Sequence, residues 1–211
     1  MAPEYFRESI LQFHLREQSF CRRILAAAQS RLMIEVGCAN FRLVEAKPKG
    51  CDYLGVDIFP PEISRLPAMN AAIIKCEAER FFRSRLIMGK IKRRYGQQVV
   101  GLLPFNFLGT MDNPIHFLRT VCGAQVDLII SLFSMSDFAT HERIEYYRKC
   151  GLSIRNVSRT EQAVKLECSN GFEAFAFSPE YIAGIAAEYG YRVAEVAFDK
   201  VCNLMSLCVM S

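Results

Sequence analysis

The sequence predicts an α/β protein: an open, mostly parallel sheet with helices on both faces. Three observations point to it. Short apolar runs alternate with helical stretches at least five times between residues 32 and 149. The first run, Leu32–Val36, passes into a turn at Gly37 with the small Ala39 two places on, an arrangement that brings backbone N–H groups close to a ligand. Carboxylates also end, or nearly end, the first three runs: Glu35, Asp57 and Glu77.

The elements follow in order. Residues 3–30 read as helical, with Ile10, Leu11, Phe13, Phe20, Ile24 and Leu25 recurring between Arg, Glu and Gln. The strand at 32–36 is expected to turn at Gly37 and open a helix, which Lys47-Pro-Lys-Gly50 ends. Cys51–Asp57 is a second strand, and Phe59-Pro-Pro-Glu-Ile63 starts another helix, since proline suits a first turn. Ala71–Cys76 is a third strand, followed by Glu77-Ala-Glu79 and a basic helix to about Tyr95. Val99–Leu103 is a fourth strand running into Pro104–Gly109, and Asn113-Pro114 opens a helix. Val126–Phe133 is a fifth strand, almost wholly apolar as a central parallel strand should be. Thr140–Lys149 is a helix ended by Gly151. Beyond it, Leu152–Val157 and Ala163–Cys168 are spaced as a hairpin, Ser178-Pro-Glu starts a helix ending at Gly190, and Tyr191–Phe198 and Val201–Met210 close the chain as an antiparallel pair. Without repeat, low-complexity segment or linker, residues 1–211 read as one domain: a helical lid (1–30), a ligand-binding half (31–150) and a substrate-side segment with the last strands (151–211).

Composition narrows the function. Hydrophobic residues make up 51% and charged residues 23% of 211, an ordinary soluble globular balance. No apolar run approaches the ~20 residues of a membrane span, and the acidic start Met-Ala-Pro-Glu does not read as a secretory signal. Nine scattered cysteines without a Cys-x-x-Cys pair disfavour a zinc site, and their odd number disfavours a full disulfide framework. A reduced, cytoplasmic protein is expected. The net charge of +4 falls short of a nucleic-acid-binding footprint.

Asp57 follows Gly37 by 20 residues, one strand-helix-strand unit, which suits a carboxylate hydrogen-bonding a ribose diol. Glu77, a unit later, is placed to meet a purine edge. Either acid alone is more simply a helix N-cap or first-turn residue; the pair in series with Gly37 favours a nucleoside site. The turn is Gly-Cys-Ala-Asn-Phe, not Gly-x-Gly-x-x-Gly, and Glu35 precedes Gly37 by two. That acid repels a pyrophosphate but accepts hydrogen bonds near an α-amino group.

Taken together, Met33-Ile-Glu-Val-Gly-Cys-Ala-Asn-Phe-Arg-Leu43, Tyr53-Leu-Gly-Val-Asp-Ile-Phe-Pro-Pro-Glu62 and Lys75-Cys-Glu-Ala-Glu79 resemble the first three motifs of class I S-adenosylmethionine-dependent methyltransferases, in order and spacing. The resemblance covers residues 30 to 211 and implies a Rossmann-like seven-stranded sheet with an antiparallel final strand. It implies S-adenosyl-L-methionine as cofactor, with Glu35, Gly37, Cys38 and Ala39 along its methionine part, Asp57 and Ile58 at the ribose, and Glu77 and Ala78 flanking the adenine. Where many members carry further glycines, this turn has Ala39 and Phe41, so either Phe41 points away from the cofactor or the pocket is altered. Pro104-Phe-Asn-Phe-Leu-Gly-Thr-Met-Asp-Asn-Pro114 resembles the fourth-strand exit of small-molecule N-methyltransferases, which adds Phe105 on the cofactor side and Asn106 on the acceptor side. A rival alignment makes Val126–Phe133 the fourth strand, with Ser134-Met-Ser-Asp137 at the catalytic edge; it requires an overlong crossover after Glu77.

Methyl transfer needs approach and orientation of a nucleophile, and no obligatory triad. Acceptor-side candidates are Asn106, Tyr5 and His14, with Tyr146 and Tyr147 behind them. His116 and His141 lack metal spacing, so no metal is expected. Three functions are carried forward. The first is transfer to a small-molecule acceptor, foremost an amine nitrogen, by a monomer or homodimer without membrane or nucleic-acid partner. The second is an RNA or protein methyltransferase using the basic run from Arg83 to Arg94. The third is a catalytically inactive binding protein on the same fold.

Overall fold

The computed structural model describes residues 7–39, 41–59 and 70–210. Its centre is a seven-stranded sheet in the order β3-β2-β1-β4-β5-β10-β9. The strands are β1 (Leu32–Val36), β2 (Asp52–Asp57), β3 (Ala71–Lys75), β4 (Val99–Leu103), β5 (Asp127–Phe133), β9 (Tyr191–Phe198) and β10 (Cys202–Val209). The pairs from β3 to β5 are parallel, and β10 runs antiparallel to both β5 and β9. This is the predicted sheet. It also decides the rival alignment: β4 pairs with β1 in register Leu32 to Val99, so Val99–Leu103 is the fourth strand and Val126–Phe133 the fifth.

Alternation along the parallel strands divides the core in two. Ile34, Val36, Leu103, Leu128 and Ile130 face α2 (Ala78–Arg83), α4 (Pro114–Gly123) and α6 (Pro179–Ala187). Met33, Tyr53, Val100, Leu102, Ile129 and Phe133 face α1 (Glu8–Ala27), which lays Ile10, Phe13, Phe20, Cys21 and Leu25 on that side. The predicted helix over 3–30 is therefore a core-covering helix, and its first residues lie outside the described ones. So does the helix expected from Phe59 onward.

Several helix starts follow their cap residues. Asn113 accepts from the His116 N–H at 3.1 Å to start α4, and Ser178 accepts from the Tyr181 N–H to start α6. The basic helix is two helices, α2 and α3 (Arg85–Tyr95), because Ser84 leaves helical geometry and caps α3 by accepting from Ile87 N–H. Helix α5 (Asp137–Lys149) begins earlier than expected, at the Ser136 cap.

The helix expected after β1 needs correction: among the described residues no α-helix follows β1, and the connection to β2 holds a 3-10 turn, Val44–Ala46. Gly37, Ala39 and Phe41 all have left-handed backbone, with φ of 61°, 35° and 56°, which cannot propagate a right-handed helix. The expected hairpin forms, with its two strands antiparallel, and a third strand extends it. Strand β8 (Glu173–Phe177) joins β6 (Ile154–Arg159) and β7 (Ala163–Cys168) in the order β6-β7-β8. Among the described residues, no helix is long and apolar enough to cross a membrane.

Candidate functional site

Strand order reverses between β1 and β4, where the chain runs outward to β2 and β3 on one side and to β5 on the other. A parallel sheet binds its ligand outside the carboxyl ends of its strands at such a point. A cleft of about 460 Å³ lies there, lined by Gly37, Val56, Asp57, Ile58, Cys76 to Glu79, Phe107 and Thr110 to Asn113. Of the predicted cofactor residues, Gly37, Asp57, Ile58, Glu77 and Ala78 line this cleft, brought together from three separate stretches of chain.

The turn after β1 is built around Asp57. Its Oδ2 accepts from the Ala39 N–H at 3.0 Å, and its Oδ1 accepts from the Phe59 N–H at 2.8 Å. A carboxylate has about four acceptor positions, so two remain for hydroxyl donors. The Gly37 N–H donates to Val56 O at 2.8 Å, which joins the turn to β2. Gly37 is required twice over: it has φ of 61°, and a Cβ there would lie 2.5 Å from the Phe107 ring. Ala39 and Phe41 hold similar left-handed geometry without being glycine, each at a cost of roughly 1–2 kcal/mol. Phe41 does point away from the cleft: it is 5% exposed and meets Tyr53 edge-on at 6.3 Å.

Four carboxylates, Asp57, Glu77, Glu79 and Asp112, line the cleft, and among the described residues no Lys, Arg or His does. Glu79 is engaged by Arg83 at 3.3 Å and His116 at 3.2 Å. Val56, Ile58, Ala78, Phe107 and Met111 supply apolar walls. The cleft therefore repels phosphate and suits a planar ring, hydroxyl donors and positive charge.

Glu35, Cys38 and Phe105 do not line the cleft. Glu35 shares the face of Met33, is 1% exposed, and accepts from Tyr53 Oη at 2.7 Å. Burial pushes its pKa up to about 8, with the Tyr53 hydroxyl opposing. Cys38 is buried with its sulfur where a Gly55 Cβ would lie at 2.8 Å, and burial pushes its thiol up to about 12. Phe105 packs against His14 at 4.2 Å, Phe13 at 5.0 Å and Phe133 at 5.5 Å.

Of the acceptor-side candidates, Tyr5 lies outside the described residues. His14 is buried against Phe105, and burial lowers its pKa against the opposing Glu17. Asn106 is 1% exposed: its Nδ2 donates to Phe175 O at 2.9 Å and its Oδ1 accepts from Phe133 N–H at 3.3 Å. The amide thus ties β5 to β8 and shapes the loop after β4, whose Phe105 and Asn106 have φ of 41° and 59°. Tyr146 and Tyr147 are buried on α5, and Tyr147 hydrogen-bonds Asn106.

Sequence reasoning missed Phe107, Asp112, Glu79 and Glu17. Glu17 is fully buried on α1, where its Oε1 accepts from Phe105 N–H at 2.6 Å and its Oε2 meets Arg42 at 3.3 Å. Burial raises its pKa, but Arg42, His14 and Ser131 outweigh it and hold the carboxyl below its ordinary value. Its signal was present, since Glu17 stands four places after Phe13 and three before Phe20 on the apolar face.

No protein-family model matches the chain, and no curated protein sequence does. Solved structures do match. A putative methyltransferase from Thermobifida fusca aligns at TM-score 0.64 and 11% identity, over 97% of this chain and 82% of that one. The Burkholderia thailandensis 1,6-didemethyltoxoflavin-N1-methyltransferase, with 1,6-didemethyltoxoflavin and S-adenosylhomocysteine bound, aligns at 0.59 and 11% identity, over 92% and 79%. Magnesium protoporphyrin IX methyltransferase from Synechocystis, with S-adenosylhomocysteine bound, aligns at 0.57 and 13% identity, over 92% and 83%. At such identities the likeness establishes the fold.

Proposed function

On the class I S-adenosylmethionine-dependent methyltransferase fold that this chain has, we propose that the cleft binds S-adenosyl-L-methionine and that the protein methylates a small-molecule acceptor, foremost at an amine nitrogen. The observation that carries this reading is the pairing of Asp57, held by the Ala39 N–H, with a cleft that presents four acids and, among the described residues, no cation. A dinucleotide would place its pyrophosphate in that acidic field; a sulfonium donor has no phosphate and carries positive charge.

In this reading Asp57 accepts the ribose hydroxyls, Ile58 and Ala78 sandwich the adenine, and Glu77, exposed at the start of α2, meets its edge. Gly37 lets the backbone approach the methionine end, and the Phe107 ring against it sets the width of the passage. The donor supplies a sulfonium-bound methyl carbon open to in-line displacement by a nitrogen lone pair, and the proton of the methylated amine passes to solvent. The chain's part is alignment and exclusion of water, with the loop 104–110 between cleft and acceptor side. No disulfide joins any of the nine cysteines, which supports a reduced, cytoplasmic setting. Titration calorimetry with S-adenosylhomocysteine tests the reading: micromolar binding supports it, and no heat from folded protein at millimolar ligand rejects it.

One observation favours a second reading, a macromolecular acceptor. Arg83, Arg85, Lys92 and Arg119 line a groove of about 370 Å³ between α3 and α4 with no acid among its lining residues. Reversing Arg85 and Lys92 to Glu should then abolish RNA binding while sparing donor affinity; unchanged RNA binding rejects it.

A further inference from the structure

Arg143 is the largest fully buried side chain of the protein, 1% exposed on the inner face of α5. Its Nη2 donates to Val164 O on β7 at 3.0 Å, and its guanidinium lies 5.9 Å from the Phe133 ring at the carboxyl end of β5. Its Nε and Nη1 are buried and have no hydrogen-bond partner among the described residues. No acid is ion-paired with it among the described residues, whereas the adjacent Glu142 turns the other way to Ser9 and Arg7. A buried guanidinium without a counter-anion is costly, and a carboxylate that reaches it relieves that cost.

The surroundings repeat the signal. Arg159 on β6 stands opposite Val164, the residue whose carbonyl Arg143 holds. Arg159 is half-exposed, donates to the Met135 carbonyl and pairs with the fully exposed Asp137 at 2.7 Å. The two cations repel: burial first, and then Arg159, lowers the Arg143 pKa to about 10, with the neighbouring Tyr147 opposing. Tyr147 reaches Asn106 at the exit of β4. A buried cation, a second cation at the surface and an aromatic wall thus converge at the ends of β4 and β5, under the sheet that Asn106 ties down through Phe175.

We propose that Arg143 binds a carboxylate carried by the methyl acceptor, with Arg159 at the mouth of that subsite, so that the acceptor is a small amino-carboxylic acid. The inference rests on the methyl-transfer reading for the word acceptor only; the carboxylate subsite stands on its own residues. A carboxylate at Arg143 makes charge-assisted hydrogen bonds to nitrogens that otherwise have none, and an amide of the same shape cannot match the charge. Anchoring one end beside Phe133 leaves the amine to be aimed along the strand ends toward the cleft.

The test is calorimetric titration of the full chain with two matched pairs, 4-aminobenzoate against 4-aminobenzamide and phenylalanine against phenylalaninamide, with and without saturating S-adenosylhomocysteine. At least one acid should bind about tenfold or more tightly than its amide. Arg143→Met should remove that preference, leave S-adenosylhomocysteine affinity within about twofold, and melt no lower than the parent. Arg143→Lys, which keeps the charge, should retain part of the preference. Equal binding of acid and amide, no binding of any probe at about 10 mM, or an undiminished preference in Arg143→Met overturns the proposal. Lack of S-adenosylhomocysteine binding instead rejects the methyl-transfer reading, and the acid-amide comparison without that ligand remains decisive for the subsite.

Discussion

The two halves of the strand-end surface are built on opposite electrostatic plans. Around the cleft at the ends of β1 to β3 and the loop after β4 stand four carboxylates, and the carboxyl group beneath it, Glu35, is held near neutrality by burial against the opposing Tyr53 hydroxyl. At the ends of β4 and β5, the buried charges are Arg143, without an acid, and Glu17, kept ionised by Arg42. Both halves contain a fully buried glutamate on the α1 side of the sheet, yet their pKa values move in opposite directions. The difference lies in what each can pair with. Glu35 meets a neutral hydroxyl and a backbone N–H, with Arg42 acting on it only through space and the Glu17 charge opposing, while Glu17 is ion-paired with the Arg42 guanidinium and accepts from the Phe105 N–H. Desolvation prevails in the first case, and charge and hydrogen bonding prevail in the second.

The strongest way to break this comparison is to remove the Glu17 charge. Glu17→Gln leaves Arg42 and the Phe105 N–H short of an anion beneath the loop after β4. Loss of a buried pair partner costs roughly 3–5 kcal/mol, and because Arg42 is about one-third exposed, about 2–3 kcal/mol is expected. Urea unfolding measures it. The Glu17 carboxyl is depressed in the folded state, so its contribution is present above the ordinary carboxylate pKa and is lost as pH falls through the folded value. The variant should therefore lose the steepest part of the acid limb of stability against pH; an unchanged limb would mean Glu17 is not ionised.

Asp57→Ala strikes the other half. It deletes the acceptor of the Ala39 and Phe59 N–H groups and the proposed ribose contact at once. Two charge-assisted hydrogen bonds of ~1.5 kcal/mol each predict about a 100-fold loss of S-adenosylhomocysteine affinity by calorimetry. Asp57→Asn, which keeps one acceptor oxygen, should recover part of it. A loss below about threefold would separate Asp57 from the ligand.

These contrasts also show what a sequence can reveal. The cleft half was legible because its parts are local: an apolar run, a glycine and an acid one unit later each follow from spacing along the chain. The helix expected after β1 failed because three left-handed residues, two of them not glycine, occupy one short turn. Neither Ala39 nor Phe41 announces such geometry. The β4–β5 half was barely legible, because its chemistry depends on non-local pairing. Arg143 becomes a buried cation only once β7 supplies the Val164 carbonyl, and Asn106 becomes a strut only once β8 lies beside it. Strand β8 was not singled out as a strand, since its partner in β7 sets its place.

Glu35 offers a subtler comparison, visible only as a slope. Its folded pKa, about 8, lies above its unfolded value near 4.5. The folded state thus binds the proton more tightly, so stability is fully present below about pH 4.5 and declines as pH rises toward 8. Glu35→Gln keeps an acceptor for Tyr53 Oη and cannot ionise. It should match the parent near pH 5 and exceed it near pH 8 in thermal melts. Parallel curves over that range would place the Glu35 titration elsewhere. Together with Glu17→Gln, this pair would flatten opposite limbs of one pH profile.

The smallest effect concerns the turn itself. Replacing Phe41 by Gly would relieve a left-handed residue but also delete a buried ring packed on Tyr53, and a cavity of that size costs roughly 3–5 kcal/mol. It would report on the core and not on the ligand. Ala39 is exposed, has φ of 35°, and presents its N–H to Asp57, so Ala39→Gly changes backbone preference and little else. Relief of left-handed strain, ~1–2 kcal/mol, is partly offset by the greater freedom of glycine in the unfolded chain, ~0.5–1 kcal/mol. A net gain of about 0.5 kcal/mol is expected, seen as a slight rise in urea midpoint. If the strained turn also holds the Ala39 N–H on Asp57, the same variant should bind S-adenosylhomocysteine no more than about twofold differently, since the hydrogen bond is a backbone one and survives. A larger loss would mean that the Ala39 methyl touches the ligand, and a larger gain that the parent turn is bent away from the shape the ligand needs.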